Sequence, residues 1–394
     1  MFAKIPTTKA IRFTDKDSPV KRGAKFKPTN NGASLPMWPY LTLWSAIALP
    51  ALVKPQGRVF GGIAAFYFLV LLWFVGLRHH VGMDWNNYLR MIDEASRLPD
   101  WTHLNEVSEP FYALLLVFGD WSGLGIYVVN FLATTAILIG LFSFVRRTPE
   151  PWIALMVALP IFLLVVGMSA NRQALAAGML MLLVANWYRW SLKAKVLFIL
   201  FCSGFHASAI LYLGFVGLDL KLARPLKLIG LFVFLVLGYF LLQQTGRIDY
   251  YDAAYVSGRS AVTESSGAFM HASLNAVPAA LYFLLPRYRH VLFPNTIIRN
   301  IAFAALAILP VVFFSSAAGG RVSLYFFPVS IWVLSALPSV VAPLVAPLVR
   351  IGICLAMLAI LVVYLTLGNS ALAHIPYNNA TLVQAHELEI GVVP

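Results

Sequence analysis

The sequence predicts an all-α polytopic integral membrane protein. Of its 394 residues, 60% are hydrophobic and only 11% are charged, whereas soluble domains carry roughly 25% charged residues. Apolar runs of roughly 17–22 residues recur along most of the chain, each long enough to cross about 30 Å of hydrocarbon as a helix. The runs are continuous and lack the two-residue alternation of a membrane β-barrel. The net charge of +13 does not point to nucleic acid. The basic residues lie mainly in the N-terminal segment and in short loops between apolar runs. Loops of that kind face the anionic cytoplasmic leaflet.

Residues 1–36 read as a disordered basic tail. Lys4, Lys9, Arg12, Lys16, Lys21, Arg22, Lys25 and Lys27 stand against Asp15 and Asp17, with too few apolar residues for a core. No apolar stretch opens the chain, so no cleavable signal peptide is expected. Residues 37–367 are expected to form the transmembrane domain. Its apolar segments fall at about 37–53, 59–77, 110–118, 124–145, 152–168, 174–190, 196–218, 228–242, 269–285, 296–315, 322–345 and 350–367. They give about 10–12 membrane segments. Residues 368–394 read as a C-terminal tail.

Loop charge sets the expected orientation. Arg146 and Arg147, the Arg189/Lys193/Lys195 group, Lys221/Arg224/Lys227, and Arg287 with Arg289 mark inward loops. The long loop 78–109, rich in Asp and Glu, and the polar segment 243–268 are expected outside. Two segments resist a simple threading. If 196–218 crosses once, the basic loop after it faces outward. A bend at Gly204–His206 with a return keeps every basic loop inside, so a re-entrant or broken helix is expected there. Segment 37–53, with Pro39 and Pro50, crosses or re-enters.

Two arginines stand out in apolar surroundings. Arg172 lies in GMSANRQALAAGML and Arg321 in SSAAGGRVSLYFFP. Each follows small residues and is expected to begin a helix running inward from the outer face. A helix N-terminus offers free N–H groups and a positive dipole. A guanidinium fork added there makes a site for phosphate or diphosphate. The plainer alternative is an arginine snorkelling to the interface. Asp84 in GMDWNNY and Glu109 in SEPFYALLL abut apolar segments, where partial desolvation raises a carboxyl pKa and suits a general base. Asp93, Glu94, Asp100 and Glu106 read as solvated loop charges. His206 lies within an apolar run, where with Ser208 it serves either a site or a bend. His79, His80 and His271 fall near expected outer ends. Tyr250, Tyr251 and Tyr255 read as loop packing or as sugar-stacking residues. Cys202 and Cys354 read as small core residues. No metal-ligand spacing, P-loop, nucleophile elbow or heptad occurs.

The ordered set V-G-M-D-W-N-N-Y at 81–88, S-E-P-F-Y at 108–112, N-R-Q-A-L-A at 171–176, F-H-A-S-A at 205–209 and R-V-S-L-Y-F at 321–326 resembles the EpsG family. These are Wzy-like polymerases of bacterial exopolysaccharide and capsule. Trp85 and the long basic tail depart from the family pattern. The resemblance implies a fold like the multi-span GT-C glycosyltransferases. It also implies metal-independent, inverting transfer of glycan between undecaprenyl diphosphate carriers at the periplasmic face of the inner membrane, with no cofactor. By carry-over, Arg172 and Arg321 hold diphosphate, and Asp84 or Glu109 deprotonates the acceptor hydroxyl. Tyr88, Gln173, His206 and Tyr325 are expected to contact substrate. A co-polymerase, a flippase and membrane lipids are the expected partners. Three rivals remain: an O-antigen-type ligase with a similar donor, a lipid-linked oligosaccharide flippase, and a membrane scaffold for an assembly complex. A flippase predicts intramembrane carboxylates and internal repeats. Here Asp and Glu gather in loops and tails.

Overall fold

The computed structural model describes residues 37–54, 57–244, 267–314 and 316–388. The basic tail before them, and most of 243–268 with Tyr250, Tyr251 and Tyr255, lie outside the described residues. All regular structure among the described residues is helical. Only a helix satisfies every backbone N–H and C=O within one hydrocarbon-spanning segment.

The helices that frame the molecule are α1 (Trp38–Val53), α2 (Gly57–Leu71), α3 (Trp85–Ser96), α4 (Pro110–Trp121), α5 (Gly125–Val145), α6 (Pro151–Ala158), α7 (Asn171–Ala185), α8 (Leu192–Ser203) and α9 (Tyr212–Asp219). They continue as α10 (Arg224–Gln244), α11 (Ala268–Leu284), α12 (Thr296–Phe314), α13 (Ser316–Ser323), α14 (Phe327–Ala336) and α15 (Ala346–Leu367). Pro110, Pro151 and Pro328 sit in first turns, where a missing N–H costs nothing. Ser191 caps α8, its hydroxyl accepting the Ala194 N–H at 3.2 Å.

Five stretches among the described residues are long and apolar enough to cross a bilayer alone: Gly125–Val145, Pro151–Ser169, Thr296–Phe313, Gly319–Ser339 and Ala346–Leu367. The pair Ala268–Leu284 and Pro286–Leu292, bent by 98°, makes a sixth if taken as one span. Further apolar helices, such as Trp38–Val53 and Asn171–Ala185, are shorter. About 10–12 segments are expected from hydropathy; the count among the described residues is smaller because several of the apolar runs form helices of only 10–17 residues. The span Pro151–Ser169 runs through Pro160 without losing its length. Residues Leu159–Val166 wind as a π-helix between α6 and Gly167–Ser169, as expected where proline removes a donor from the ladder.

Pro151–Ser169 is the central column, 94% buried within the protein, against 33% for Ala346–Leu367 at the periphery. A close helix contact lies between α5 and α7. A Cβ on Gly140 would meet the Gly178 carbonyl oxygen at 1.8 Å, and one on Gly178 would meet Ile137 Cα at 2.7 Å. Small residues let the two backbones touch.

Two clusters mark opposite ends of the column. At the start of α6, Glu150 accepts from Lys54 at 2.5 Å and from Arg350 at 2.8 and 2.9 Å. This joins the end of α1 to the start of α15. At the other end the segment after α15 folds back. Gly82 N–H donates to the Ala373 carbonyl at 2.7 Å and His79 N–H to the Asn378 carbonyl at 3.0 Å. Tyr377 stacks on Phe74 at 4.0 Å. Residues read from sequence as a tail therefore close over the 73–82 stretch.

The segment 192–219 turns back on itself, as charge threading required. α8 ends at Ser203, the chain breaks at Gly204–His206, and a 3-10 turn at Ala207–Leu211 leads into α9. Asp219 Oδ2 then accepts from Lys195 at 3.3 Å and from the Trp187 indole at 2.9 Å. The end of α9 thus lies beside the start of α8.

The α5–α7 contact generates a stability prediction. Gly178→Ala should lower the melting temperature of the purified protein by an overpacking cost of about 1–3 kcal/mol. Alanine at Gly352, where an added Cβ meets nothing within 4 Å, should leave the transition within error of the native protein.

Candidate functional site

The site is built where α4 begins. Pro110 starts the helix, so its first N–H groups need acceptors from elsewhere. Phe111 and Tyr112 donate to the Gly204 carbonyl at 2.9 and 3.2 Å. The favour is returned one residue earlier. Glu109 Oε1 accepts the Ala207 N–H at 3.2 Å, capping the turn after the break. Its other oxygen, Oε2, accepts from Arg172 Nη1 at 3.0 Å and from the Ser108 hydroxyl at 3.1 Å. Arg172 Nη1 also reaches Ser108 Oγ at 3.2 Å. His206 Nδ1 stands 3.9 Å from Glu109 Oε1. One carboxylate therefore ties the start of α4, the start of α7 and the break after α8.

Burial pushes the Glu109 carboxyl up, but the charges of Arg172 and His206 outweigh it and hold the group below the ordinary glutamate range. Asp84 is the opposite case. It is half-buried at the start of α3, and its carboxylate caps nothing and accepts no hydrogen bond among the described residues. Burial raises its pKa, and Arg172 and Arg321 only partly oppose that rise. The charges of both arginines thus bear on this carboxyl.

The remaining expected residues join the same cluster. Tyr88 is buried, and its hydroxyl accepts the Arg172 N–H at 3.4 Å. Burial and then the charge of Asp84 push that hydroxyl up to about 12. Gln173 is buried and donates its side-chain N–H to the Arg321 carbonyl. His206 Nδ1 pairs with the Ser208 hydroxyl at 3.0 Å, and that hydroxyl meets the Tyr325 hydroxyl at 3.1 Å. Tyr212 donates to the Tyr325 carbonyl at 2.7 Å.

One expectation about Arg321 needs correction. Arg172 does begin a helix, as second residue of α7. Arg321 lies near the start of the apolar span Gly319–Ser339, but its own helix begins earlier, at Ser316, and it sits in the last turn of that helix, α13. The glycines before it are packing residues rather than a helix start. A Cβ on Gly319 would meet Val312 at 2.7 Å, and one on Gly320 would meet Ala268 at 2.6 Å. The N-terminal dipole thus supports Arg172 and not Arg321. Arg321 is exposed and contributes through its charge.

Several residues of the site were missed from sequence. Ser108 and Tyr112 lie within the quoted S-E-P-F-Y motif, so a signal was present. The Arg172 guanidinium lies 6.0 Å from the centre of the Tyr112 ring. Arg78 gave no signal. It is buried, donating to the Val75 carbonyl at 2.8 Å, the Val81 carbonyl at 3.2 Å and Asn130 Oδ1 at 2.9 Å. Asn130 Oδ1 also accepts from Asn171 at 2.9 Å, linking the Asp84 loop to the residue before Arg172. Gly82 is required twice. Its φ is +110°, and a Cβ would meet the Met168 carbonyl oxygen at 2.0 Å. The loop acids read as solvated are so placed: Asp93 pairs with Arg97 at 2.7 Å and Glu94 with Arg90 at 3.7 Å on an exposed face. Among the described residues no three His, Cys, Asp or Glu side chains converge as metal ligands.

The two carboxylates predict different stabilities. Glu109→Ala leaves a half-buried guanidinium and the Ala207 N–H without their acceptor, and should cost about 3–5 kcal/mol. Asp84→Asn removes a buried charge that accepts no hydrogen bond, and should leave stability within about 1 kcal/mol or raise it slightly. Thermal unfolding of the two purified variants in one detergent checks the contrast.

Comparison with known proteins gives one match, to a family model. No curated protein matches the chain, and no solved structure matches it. The family model described as EpsG family matches residues 63–379. The match spans every residue of the cluster and ends within the segment that closes over Gly82. The chain is a polytopic, all-helical member of the EpsG family, whose membership points to an exopolysaccharide polymerase-type function.

Proposed function

We propose that the protein joins oligosaccharide repeat units carried on undecaprenyl diphosphate, transferring the growing glycan from one lipid carrier to the sugar of the next. The observation that carries this reading is a half-buried carboxyl, Asp84, set in the field of two guanidiniums, Arg172 and Arg321. Such a set suits a reaction in which a proton is lost at one place and a diphosphate gains charge nearby.

Asp84 is the base. It removes the proton of the acceptor hydroxyl as that oxygen bonds to the anomeric carbon. The bond from that carbon to the diphosphate oxygen breaks on the opposite side, so configuration inverts. The electron pair leaves with the lipid diphosphate, whose added charge falls on Arg172 and Arg321. The N-terminus of α7 adds its dipole beside Arg172. Glu109 is a positioning residue: both of its oxygens are occupied and its proton affinity is held low. Tyr88 stays protonated and braces the Arg172 backbone. His206, Ser208 and Tyr325 support the break against which the acceptor lies. The reacting end faces the periplasm of the inner membrane, where a lipid-linked repeat is presented after flipping. A co-polymerase and a flippase are the proposed partners.

Purified protein in liposomes, given a lipid-diphosphate-linked repeat as substrate, tests the base. Asp84→Asn should lower kcat by about 10²–10⁴-fold at an unchanged melting temperature. An unchanged rate would remove Asp84 from the chemistry. The pH profile adds a signed test. A base must be deprotonated, and burial raises the Asp84 pKa, so activity should fall with decreasing pH through a value above the ordinary aspartate range. Arg321 lowers that pKa. The residual activity of Arg321→Gln should therefore show its acidic limb shifted to higher pH.

A further inference from the structure

The far end of the helix that carries Arg172 holds a second basic cluster. The remainder of α7 places it about 20 Å from Arg172, at about 1.5 Å per residue. There Arg146, Arg147 and Arg189 are exposed. Burial, and then the charges of Arg189 and Arg146, push the Arg147 guanidinium below its usual range, so the three share one field. Arg147 donates to Asn186 Oδ1 at 2.9 Å. Among the described residues none of the three arginines pairs with a carboxylate, in contrast to Arg350 and Lys54 on Glu150.

Two grooves meet at Arg189. One, of about 280 Å³, is lined by Arg147, Arg189, Asn186, Asn295, Tyr188 and Trp332. The buried indole N–H of Trp332 has no hydrogen-bond partner among the described residues. Asn295 opens α12, its side chain accepting the Ile298 N–H at 3.0 Å. The other groove, of about 560 Å³, is lined by Arg189, Trp190, Ser191, Leu197, Phe198 and Phe201. Its wall is apolar and outward-facing: Leu197 is 55% exposed and Phe201 42%. A small polar groove with uncompensated positive charge thus adjoins a larger apolar one.

We propose that the paired groove binds one anionic phospholipid, its headgroup phosphate on Arg147 and Arg189 and its acyl chains along Leu197, Phe198 and Phe201. Charge complementarity selects the headgroup. Guanidiniums without a carboxylate attract a phosphate diester, while the added ammonium of a zwitterionic headgroup is repelled by them and meets no carboxylate in the grooves' lining. The adjoining apolar wall selects a lipid over free phosphate. The apolar groove also leads along α8 toward the catalytic end. Phe198 packs on Phe201 at 6.1 Å and Phe201 on Phe205 at 5.3 Å, one residue before His206. A lipid seated there braces the hairpin formed by α8 and α9.

The test uses the purified full chain in detergent. Thermal unfolding and native mass spectrometry are read with phosphatidylglycerol, phosphatidylcholine or inorganic phosphate added. Phosphatidylglycerol should raise the melting temperature and be retained as one molecule per chain. Phosphatidylcholine and inorganic phosphate should do neither. The double variant Arg147→Gln/Arg189→Gln should keep the native melting temperature without lipid and lose at least tenfold in phosphatidylglycerol affinity. Leu197→Asn should weaken retention severalfold without touching the charge. If the double variant fails to fold, Arg189→Gln alone makes the same discrimination. Equal binding of phosphatidylglycerol by native and variant protein would overturn the proposal. So would equal retention of phosphatidylcholine, or an equal shift with inorganic phosphate alone.

Discussion

The carboxylate of Glu109 is the constraint on which the site depends. A helix that begins inside apolar surroundings leaves N–H groups needing acceptors, and a chain that breaks at Gly204–His206 leaves more. The structure solves both together. The first turn of α4 is satisfied by the Gly204 carbonyl, and the turn after the break by the Glu109 side chain. Arg172 neutralises the same carboxylate. Charge, capping and chain reversal meet in one residue. That is why an acid at the start of an apolar helix is tolerated, and why its proton affinity falls while that of Asp84 rises.

The rest of the molecule holds this arrangement still. The central column brings Ser169 against Met83, whose N–H donates to its hydroxyl at 3.1 Å. The segment after α15 adds the other half of the grip. His374 is buried, approaches Ser169 at 3.4 Å, and its carbonyl accepts the Tyr40 hydroxyl at 2.6 Å. Burial lowers the His374 pKa to about 4, so it is neutral near pH 7 and adds no charge beside Arg78. The family match ends at residue 379, within the segment that performs this closure.

Much of this was legible in the sequence, for physical reasons that can be named. Hydropathy gives the class, because long apolar runs with few charges have one stable solution in lipid. Loop charge favours a return at Gly204–His206, because a single crossing puts Lys221–Lys227 on the side opposite the other basic loops, and the chain does reverse there. The eight expected residues, from Asp84 to Tyr325, lie near one another, and ionisable or polar groups in apolar runs are legible because they are costly there without a partner. Other features were hidden. Arg321 was read as a helix start because Gly319–Gly320 resembles a break, and the close approach of Val312 and Ala268 is not visible in a linear pattern. Arg78 and His374 gave no signal because their partners are backbone carbonyls and distant residues. The two roles of Asp84 and Glu109 could not be separated by type or spacing. Their difference arises from which hydrogen-bond donors surround each carboxylate.

The central claim is that Arg172 meets a lipid diphosphate at a site assembled by Glu109. Its most direct measurement is the pool of lipid-linked intermediates in cells carrying Arg172→Ala or Arg172→Lys, with membrane levels of the protein measured in parallel. The account predicts accumulation of lipid-linked single repeats in Arg172→Ala at normal protein level, and only partial recovery of polymer in Arg172→Lys, because an ammonium cannot bond diphosphate bidentately. Polymer of native length and amount in Arg172→Ala cells would contradict it and leave Arg172 as an anchor for Glu109 alone.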